Sequence, residues 1–414
     1  MPSTAQNQPS VPHPLEGEHV PQGDELEHIA GLFEQMINES SHPDHPEKLR
    51  PLADGHGALT PGAASTHAHG KWWKKFWPDH LEERLDKLFN QHHMGNYVAI
   101  RAQNGRPQTE VFESMPIYVR VGMHLLFSSS QDKSLLRYKS IEELLKSSSI
   151  RQGRVYDDSS NPKAVLEHIQ SFIATYSLDT SELLNPDPAS YTCFNEFFYR
   201  KLKPGARPIA NHENDRVISS AADCRMTVFS SVDEAKEIWV KGKKFTIGNL
   251  LDDQKLADEV FTPGSDVVIF RLAPADYHRW HSAVGPAVVG ATKQLAGEYY
   301  TVNPQAVNED FNVFTANKRD VMIMTWKPSG LQPIPVASVH VGAMLVGSIG
   351  YDVAQGTNVQ RGDSIGYFAY GGSTVIHIFP PQAKIKWDDD ILANSRKNLE
   401  TMVRVGDHMG EVQN

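Results

Sequence analysis

The stretch from Tyr370 to Phe379 constrains the fold more than any other. A glycine pair, Gly371-Gly372, runs into Ser373-Thr374 and then into Val375-Ile376-His377-Ile378-Phe379. The apolar, β-branched run reads as a buried strand. Gly372 leaves its own carbonyl uncrowded and lets the backbone take strained angles. The hydroxyl of Ser373 stands next to that carbonyl and can attack it, an intramolecular N→O acyl shift. Elimination from the resulting ester gives dehydroalanine, and loss of ammonia leaves a pyruvoyl group. A plain glycine turn before a buried strand explains the same letters. The segments upstream decide between the two.

With 414 residues the chain exceeds what one small core needs, so one large catalytic domain with an extension, or two domains, is expected. A hydrophobic fraction of 40% and a mean hydropathy of −0.42 describe a globular protein with a polar segment. The net charge of −10 and pI near 6.0 argue against general nucleic-acid binding. Cys193 and Cys224 make neither a disulfide framework nor a zinc quartet, and fit a reducing compartment or plain packing. No apolar run approaches the ~20 residues of a membrane span. No Lys or Arg precedes Lys48 and the first segment is acidic, so neither a secretory signal nor a mitochondrial transit peptide is expected. The expected location is the cytoplasm or the surface of an endomembrane.

Residues 1–70, rich in Pro, Gly, Ser, His and acids, read as a largely disordered tail with one short amphipathic piece, Leu26 to Ile37. Residues 71–185 read as a helical region with candidate membrane-contact elements. Trp72, Trp73 and Trp77 among Lys71, Lys74 and Lys75 suit a bilayer interface, or else dock the following helix, in which Leu81, Leu85, Leu88 and Phe89 keep helical spacing. Met115 to Phe127 is apolar almost all round, with Arg120 and His124 as a narrow polar stripe, and is either buried or partly in lipid. Further helices are predicted over 140–146 and 162–176. Residues 186–414 read as a β-rich domain. Phe194 to Pro208 predicts a helix ending in a Pro204-Gly205 turn. Strands are predicted over 217–220, 226–229, 238–240, 267–272, 287–289, 321–326, 337–346 and 364–369. Their irregular spacing, with glycine at corners, suits an antiparallel barrel or sandwich. A charged run from Lys384 to Asp390 and a short helix complete the tail. The fold class is therefore α+β: a β-rich antiparallel barrel- or sandwich-like catalytic body with N-terminal helices and a disordered tail.

Candidate chemistry collects in two places. Ala273 to His281 follows an apolar strand and carries His278 and His281, three apart among aromatics. Histidine is the natural general base near neutral pH. The pair could instead ligate zinc, though no Glu stands between them as in the helical zincin pattern, or be structural. Ala221-Ala222-Asp223 ends another strand with a carboxylate, either an orienter of a histidine or a turn aspartate bonding its own backbone.

Together these segments resemble the phosphatidylserine decarboxylases, the self-cleaving pyruvoyl enzymes. The resemblance lies in Phe194 to Pro208, Ala221-Ala222-Asp223, Ala273 to His281, Tyr300-Thr301-Val302-Asn303-Pro304, Val339 to Ile349, and Arg361 to Gly366 leading to Gly371-Gly372-Ser373-Thr374. It spans roughly Met115 to Gly410, with the lead-in of fungal members. It implies cleavage between Gly372 and Ser373, giving a β chain of 1–372 and an α chain of 373–414 that stay associated. Ser373 becomes the covalent pyruvoyl cofactor. Asp223, His281 and Ser373 form the processing triad, with His281 as base and Asp223 holding its imidazole. His278 serves the decarboxylation stage. No metal and no diffusible cofactor is required. The reaction implied is phosphatidylserine to phosphatidylethanolamine and carbon dioxide, on a zymogen of phospholipid biosynthesis with peripheral membrane contact, no nucleic-acid partner, and a homo-oligomer left open.

Two departures stand out. Ala221 replaces a frequent Pro, and Gly285-Pro286 replaces a usual Asp-Gly or Asn-Gly turn. The sequence also shows no C2-like domain and no transmembrane helix ahead of the body, and soluble relatives decarboxylate free aromatic amino acids such as tryptophan. A free amino acid is thus the alternative substrate. A non-processing binding module and a zinc hydrolase built on His278 and His281 are the readings from other classes.

Overall fold

The computed structural model describes residues 95–103, 105–114, 153–176, 178–238, 245–273, 275–298, 313–342, 348–369 and 373–414. The tail 1–70, the Trp/Lys cluster at 71–77, the segments 115–127 and 140–146, and Gly372 lie outside the described residues.

A hairpin opens the described chain, β1 (Gly95–Ile100) and β2 (Thr109–Ser114). Then come α1 (Pro162–Tyr176), α2 (Phe194–Phe198), β3 (Val217–Ser219) and β4 (Cys224–Phe229). Three short helices follow, α3 (Val232–Ile238), α4 (Ile247–Leu251) and α5 (Gln254–Glu259). The middle holds β5 (Asp266–Leu272), β6 (Arg279–His281), β7 (Ala287–Leu295), α6 (Val313–Ala316), β8 (Arg319–Trp326) and β9 (Ile334–Gly342). The last part holds β10 (Ile349–Tyr351), β11 (Asn358–Val359), β12 (Ser364–Phe368), β13 (Ser373–Phe379), β14 (Ile385–Trp387), α7 (Asp389–Arg396), β15 (Glu400–Val403) and β16 (His408–Val412).

Ten strands form one sheet in the order β11-β7-β8-β9-β13-β5-β4-β15-β1-β2, antiparallel except where β1 meets β15. Two three-stranded sheets, β10-β12-β6 and β14-β16-β3, pack around it. This is the expected α+β class with an antiparallel body. Among the described residues the large sheet is open, with β11 and β2 at its edges, and no closed barrel forms.

Strand β13 lies near the middle of that sheet and is buried at every residue. Its apolar run reflects two covered faces. Val375 and Phe379 face one core cluster with Phe270, Leu272 and Trp280. Ile376 and Ile378 face the other, with Val339, Val341 and Ile269. The second cluster includes the helical layer. Asn161 accepts from Ala164 N at 3.2 Å and starts α1, with Pro162 in its first turn, where a missing N–H costs nothing. Ile169, Phe172 and Tyr176 form its buried stripe, and Phe172 meets Phe194, Phe197 and Phe198 edge-on.

Several elements differ from the sequence-based expectation. Within 71–185, expected to be helical, residues 95–114 form a β-hairpin paired to the C-terminal strand β15. The helix from Phe194 stops at Phe198 rather than running to the Pro-Gly turn. Arg200 is buried there, and Leu202 pairs with Leu183 in an extended bridge. Ile238, expected to begin a strand, ends α3. The tail after Phe379 contributes β14, β15 and β16 besides its helix.

Candidate active site

Ser373 opens β13, paired with Leu272 on β5 and Gly342 on β9. It is fully buried, and its Oγ has no hydrogen-bond partner among the described residues. A buried hydroxyl without a partner is costly and calls for an explanation. Period-two alternation puts Ser373 on the face of Val375, whose cross-strand neighbour is His340. Trp280 stacks on His340 with ring centroids 4.5 Å apart. Trp280, one of the two residues between the candidate histidines, thus packs in the core on the sheet face that Ser373 shares with Val375.

His278 sits in the turn between β5 and β6, fully buried. Its Nδ1 lies 2.9 Å from the carbonyl of Asp276. A carbonyl only accepts, so Nδ1 carries the hydrogen, and Nε2 is the nitrogen that gains and loses a proton. The Phe198 ring lies over it, centroids 4.0 Å apart, which is how α1 and α2 reach the site.

The same logic applies to His281. Nδ1 donates to the Gly362 carbonyl at 2.8 Å, and Nε2 accepts from the Tyr277 hydroxyl at 3.1 Å. Burial pulls the imidazole below its ordinary 6.5, against the Gly362 bond and the charge of Asp223, which push it up. His281 is therefore neutral near pH 7, with its basic nitrogen at Nε2.

The backbone brings Asp223 alongside, since His281 N donates to Ala221 O at 2.7 Å. The Asp223 carboxylate is engaged elsewhere. Arg207 binds it through Nε (3.0 and 2.9 Å) and Nη2 (2.6 Å), and Val405 N donates at 2.9 Å. Both nitrogens of His281 are likewise taken, by Gly362 and Tyr277. Asp223 thus acts on His281 through its charge, and the Gly362 carbonyl sets the tautomer. A shallow cavity beside this cluster is lined by Asp223, Tyr277, Asp276, Arg200 and Arg207.

The sequence reading missed Tyr277, Gly362, Arg207 and Asp276. Tyr277 and Asp276 were in view inside the histidine segment. The roles of Gly362 and Arg207 depend on contacts 81 and 16 residues away, which no local pattern encodes. Among the described residues no three His, Cys, Asp or Glu side chains converge as a metal site requires, and no helix is long and apolar enough to cross a membrane.

The family model for phosphatidylserine decarboxylase matches residues 194–411, more than half of the chain and all of the cluster just described. The chain belongs to the phosphatidylserine decarboxylase family. Phosphatidylserine decarboxylase proenzyme 2 of Komagataella phaffii is 42% identical over 358 residues, 85% of this chain and 33% of that protein. The proenzyme 2 of Oryza sativa is 42% identical over 292 residues, 70% of this chain and 45% of its own length. The chain therefore spans less than half of these relatives. A shorter relative, the phosphatidylserine decarboxylase proenzyme of Fusobacterium nucleatum, is 37% identical over 248 residues, which cover 60% of this chain and 79% of that protein.

Proposed function

We propose that the chain is a self-processing, pyruvoyl-dependent carboxy-lyase that converts phosphatidylserine to phosphatidylethanolamine and carbon dioxide. The observation that carries this is Ser373: a buried hydroxyl with no partner among the described residues, at the head of the central strand, inside the family-matched span. In processing, His281 Nε2 exchanges the Tyr277 hydroxyl for that of Ser373 and takes its proton. Oγ adds to the Gly372 carbonyl, the peptide C–N bond breaks, and an ester replaces it. Loss of the Ser373 α-proton and of the Gly372 carboxylate gives dehydroalanine. Its hydrolysis releases ammonia and leaves the pyruvoyl on Thr374. Asp223, held by Arg207, raises the basicity of His281 through its field.

The pocket suits such a group, since the position is buried and the Ser373 oxygen has no other bond to satisfy. When formed, the pyruvoyl supplies an electron-accepting carbonyl for a substrate amine. His278, tautomer fixed by Asp276 O, returns a proton to the substrate α-carbon from Nε2. Because a diacyl lipid does not readily leave the bilayer, each methylene being worth about 0.8 kcal/mol, the enzyme works at a membrane surface. Residues 71–127 include the segments proposed to rest on it.

Intact-mass analysis tests the reading. The purified chain is expected as two pieces, the smaller being the 42 residues 373–414 with a blocked N-terminus. Ser373→Ala is expected to remain a single inactive chain. Carbon dioxide should be released from phosphatidylserine vesicles. Release from free tryptophan alone would reassign the substrate, and folded protein that stays full-length would sink the proposal.

A further inference from the structure

Arg225 on β4 and Arg271 on β5 are cross-strand partners, both buried in the middle of the sheet. Two like charges in that position need anions close by. Arg271 pairs with Glu400 through Nε at 2.7 Å and Nη2 at 2.5 Å. Arg225 gives Nη2 and Nε to Glu113 at 2.6 and 3.0 Å, and Nη1 to Asp276. Glu113 also meets Arg271 Nη2 at 3.3 Å, so it is the anion both arginines share. It comes from β2, outside the span 194–411 that the family model matches.

The network ends at the turnover histidine. Asp276 Oδ2, besides taking Arg225, accepts from Ala273 N at 2.7 Å, and Asp276 N donates back to Ala273 O at 2.9 Å. These bonds close the turn that carries His278. The carbonyl of the same Asp276 receives the Nδ1 hydrogen of His278, and Arg200 Nη2 approaches it at 3.5 Å. Three links therefore join the hairpin to the imidazole: Glu113 to Arg225, Arg225 to Asp276, Asp276 to His278. Without the Glu113 charge, as in a Gln with a single acceptor oxygen, one of Arg225 Nε and Nη2 faces a donor instead of an acceptor and is left a buried donor without a partner. The guanidinium then has reason to leave Asp276.

We propose that Glu113 is a positioning residue for decarboxylation: hairpin β1–β2 supplies the charge that holds Arg225 on Asp276, and so fixes the turn and tautomer of His278. The inference rests on the role given to His278 under the proposed function. It explains why a strand pair outside the family-matched span is built into the edge of the catalytic sheet. It also separates two functions on one short segment, because His281 takes its tautomer from Gly362 and does not depend on this network.

Glu113→Gln, nearly isosteric but uncharged, is the test. Self-cleavage into two chains is expected to proceed as in the wild type. The kcat for carbon dioxide release from phosphatidylserine vesicles is expected to fall about tenfold at unchanged KM, less than the about 10²–10⁴ for losing an acid outright. In ¹⁵N-histidine spectra, assigned with His278→Gln, the protonated-Nδ1 signature of His278 should disappear. The Ser373→Ala background gives that spectral readout without any activity. If Glu113→Gln does not fold, Asp276→Asn replaces it, with the same loss of kcat at retained cleavage expected. A purely structural Glu113 would lower Tm and leave kcat and the His278 signature intact, which overturns the inference. A wild type that neither cleaves nor releases carbon dioxide sinks the proposed function instead, while the tautomer readout still decides the role of Glu113.

Discussion

A carbonyl oxygen cannot donate, so the 2.8 Å contact between Gly362 O and His281 Nδ1 leaves Nε2 as the nitrogen able to take up a proton in the proposed processing step. Asp223 is left with an electrostatic task, and that task has a measurable sign. Burial lowers the His281 pKa from 6.5, so the neutral base is present at pH 7 and is lost only as the pH falls below that value. Self-cleavage, followed by the appearance of the 42-residue fragment, should be flat above pH 7 and fall in acid with a midpoint under 6.5. Asp223→Asn removes a charge that raises the His281 pKa. Its midpoint should move further into acid and its plateau should drop about tenfold, within the range of weakened base catalysis. An unchanged midpoint would mean that Asp223 does not tune His281. Ser373, His278, His281 and Asp223 were all legible as residue types beside a glycine pair and at strand ends. The contacts that hold His281 and Asp223 through Gly362, Arg207 and Val405 were not, because these partners lie far along the chain from the residues they hold.

Apolar runs and even mixed stretches such as Val217–Ser219 and Ser364–Phe368 were readable as strands, while the charged strands β2 and β14 were not. Over 267–272 the run Val267-Val268-Ile269-Phe270 gives β5 directly, and α1 is framed by Asn161 and Pro162 at its start. The hairpin β1–β2 was missed although Asn104-Gly105 stands between two six-residue strands, with Gly105 at φ 78°. Charged letters such as Glu110 and Glu113 disguise β2, and Glu113 proves to be buried by the arginines opposite. Strand β14 was hidden inside the charged run at 384–390, where Trp387 is the informative letter. Its Nε1 donates to Asp266 Oδ1 at 3.0 Å, joining β14 to β5. Burial lifts Asp266 from 3.8 to about 6 despite that bond. The unfolded chain releases this proton near 3.8 and the folded chain near 6. The group therefore costs nothing in strong acid, costs progressively more between those values, and carries its full penalty above pH 6. Asp266→Asn can still accept from Trp387, and should stabilise the fold by about 3 kcal/mol at pH 7 and by almost nothing near pH 3.5. Thermal unfolding of both proteins at the two pH values checks this, and an equal gain at both would exclude the charge as the cause.

At the scale of the molecule, the cleavage proposed between residues 372 and 373 would divide a sheet without opening it. The 42-residue piece 373–414 holds β13, β14, β15, β16 and α7. Its first strand is hydrogen-bonded on both sides, to β5 along seven residue pairs and to β9 along six. Strand β15 is held between β4 and β1, and β16 between β14 and β3. Val375, Ile376, Ile378, Phe379 and Val403 are wholly buried in this piece, each worth about 1.5–3 kcal/mol relative to exposure. Polar ties add direction: Glu400 to Arg271, and Arg101 to both Asp388 and Asp390 at 2.7 Å. Extracting the fragment would expose two cores and leave β5, β9 and β4 with unpaired edges. The two pieces should therefore co-elute as one particle in native buffer and unfold in a single cooperative denaturant transition. The fragment should separate only at or above that midpoint. A fragment that dissociates in native buffer while the larger piece stays folded would contradict the central placement of β13. If separation instead began at β15–β16, proteolysis would cut first near the α7–β15 turn, where Asn398 takes φ 57°, leaving β13 protected.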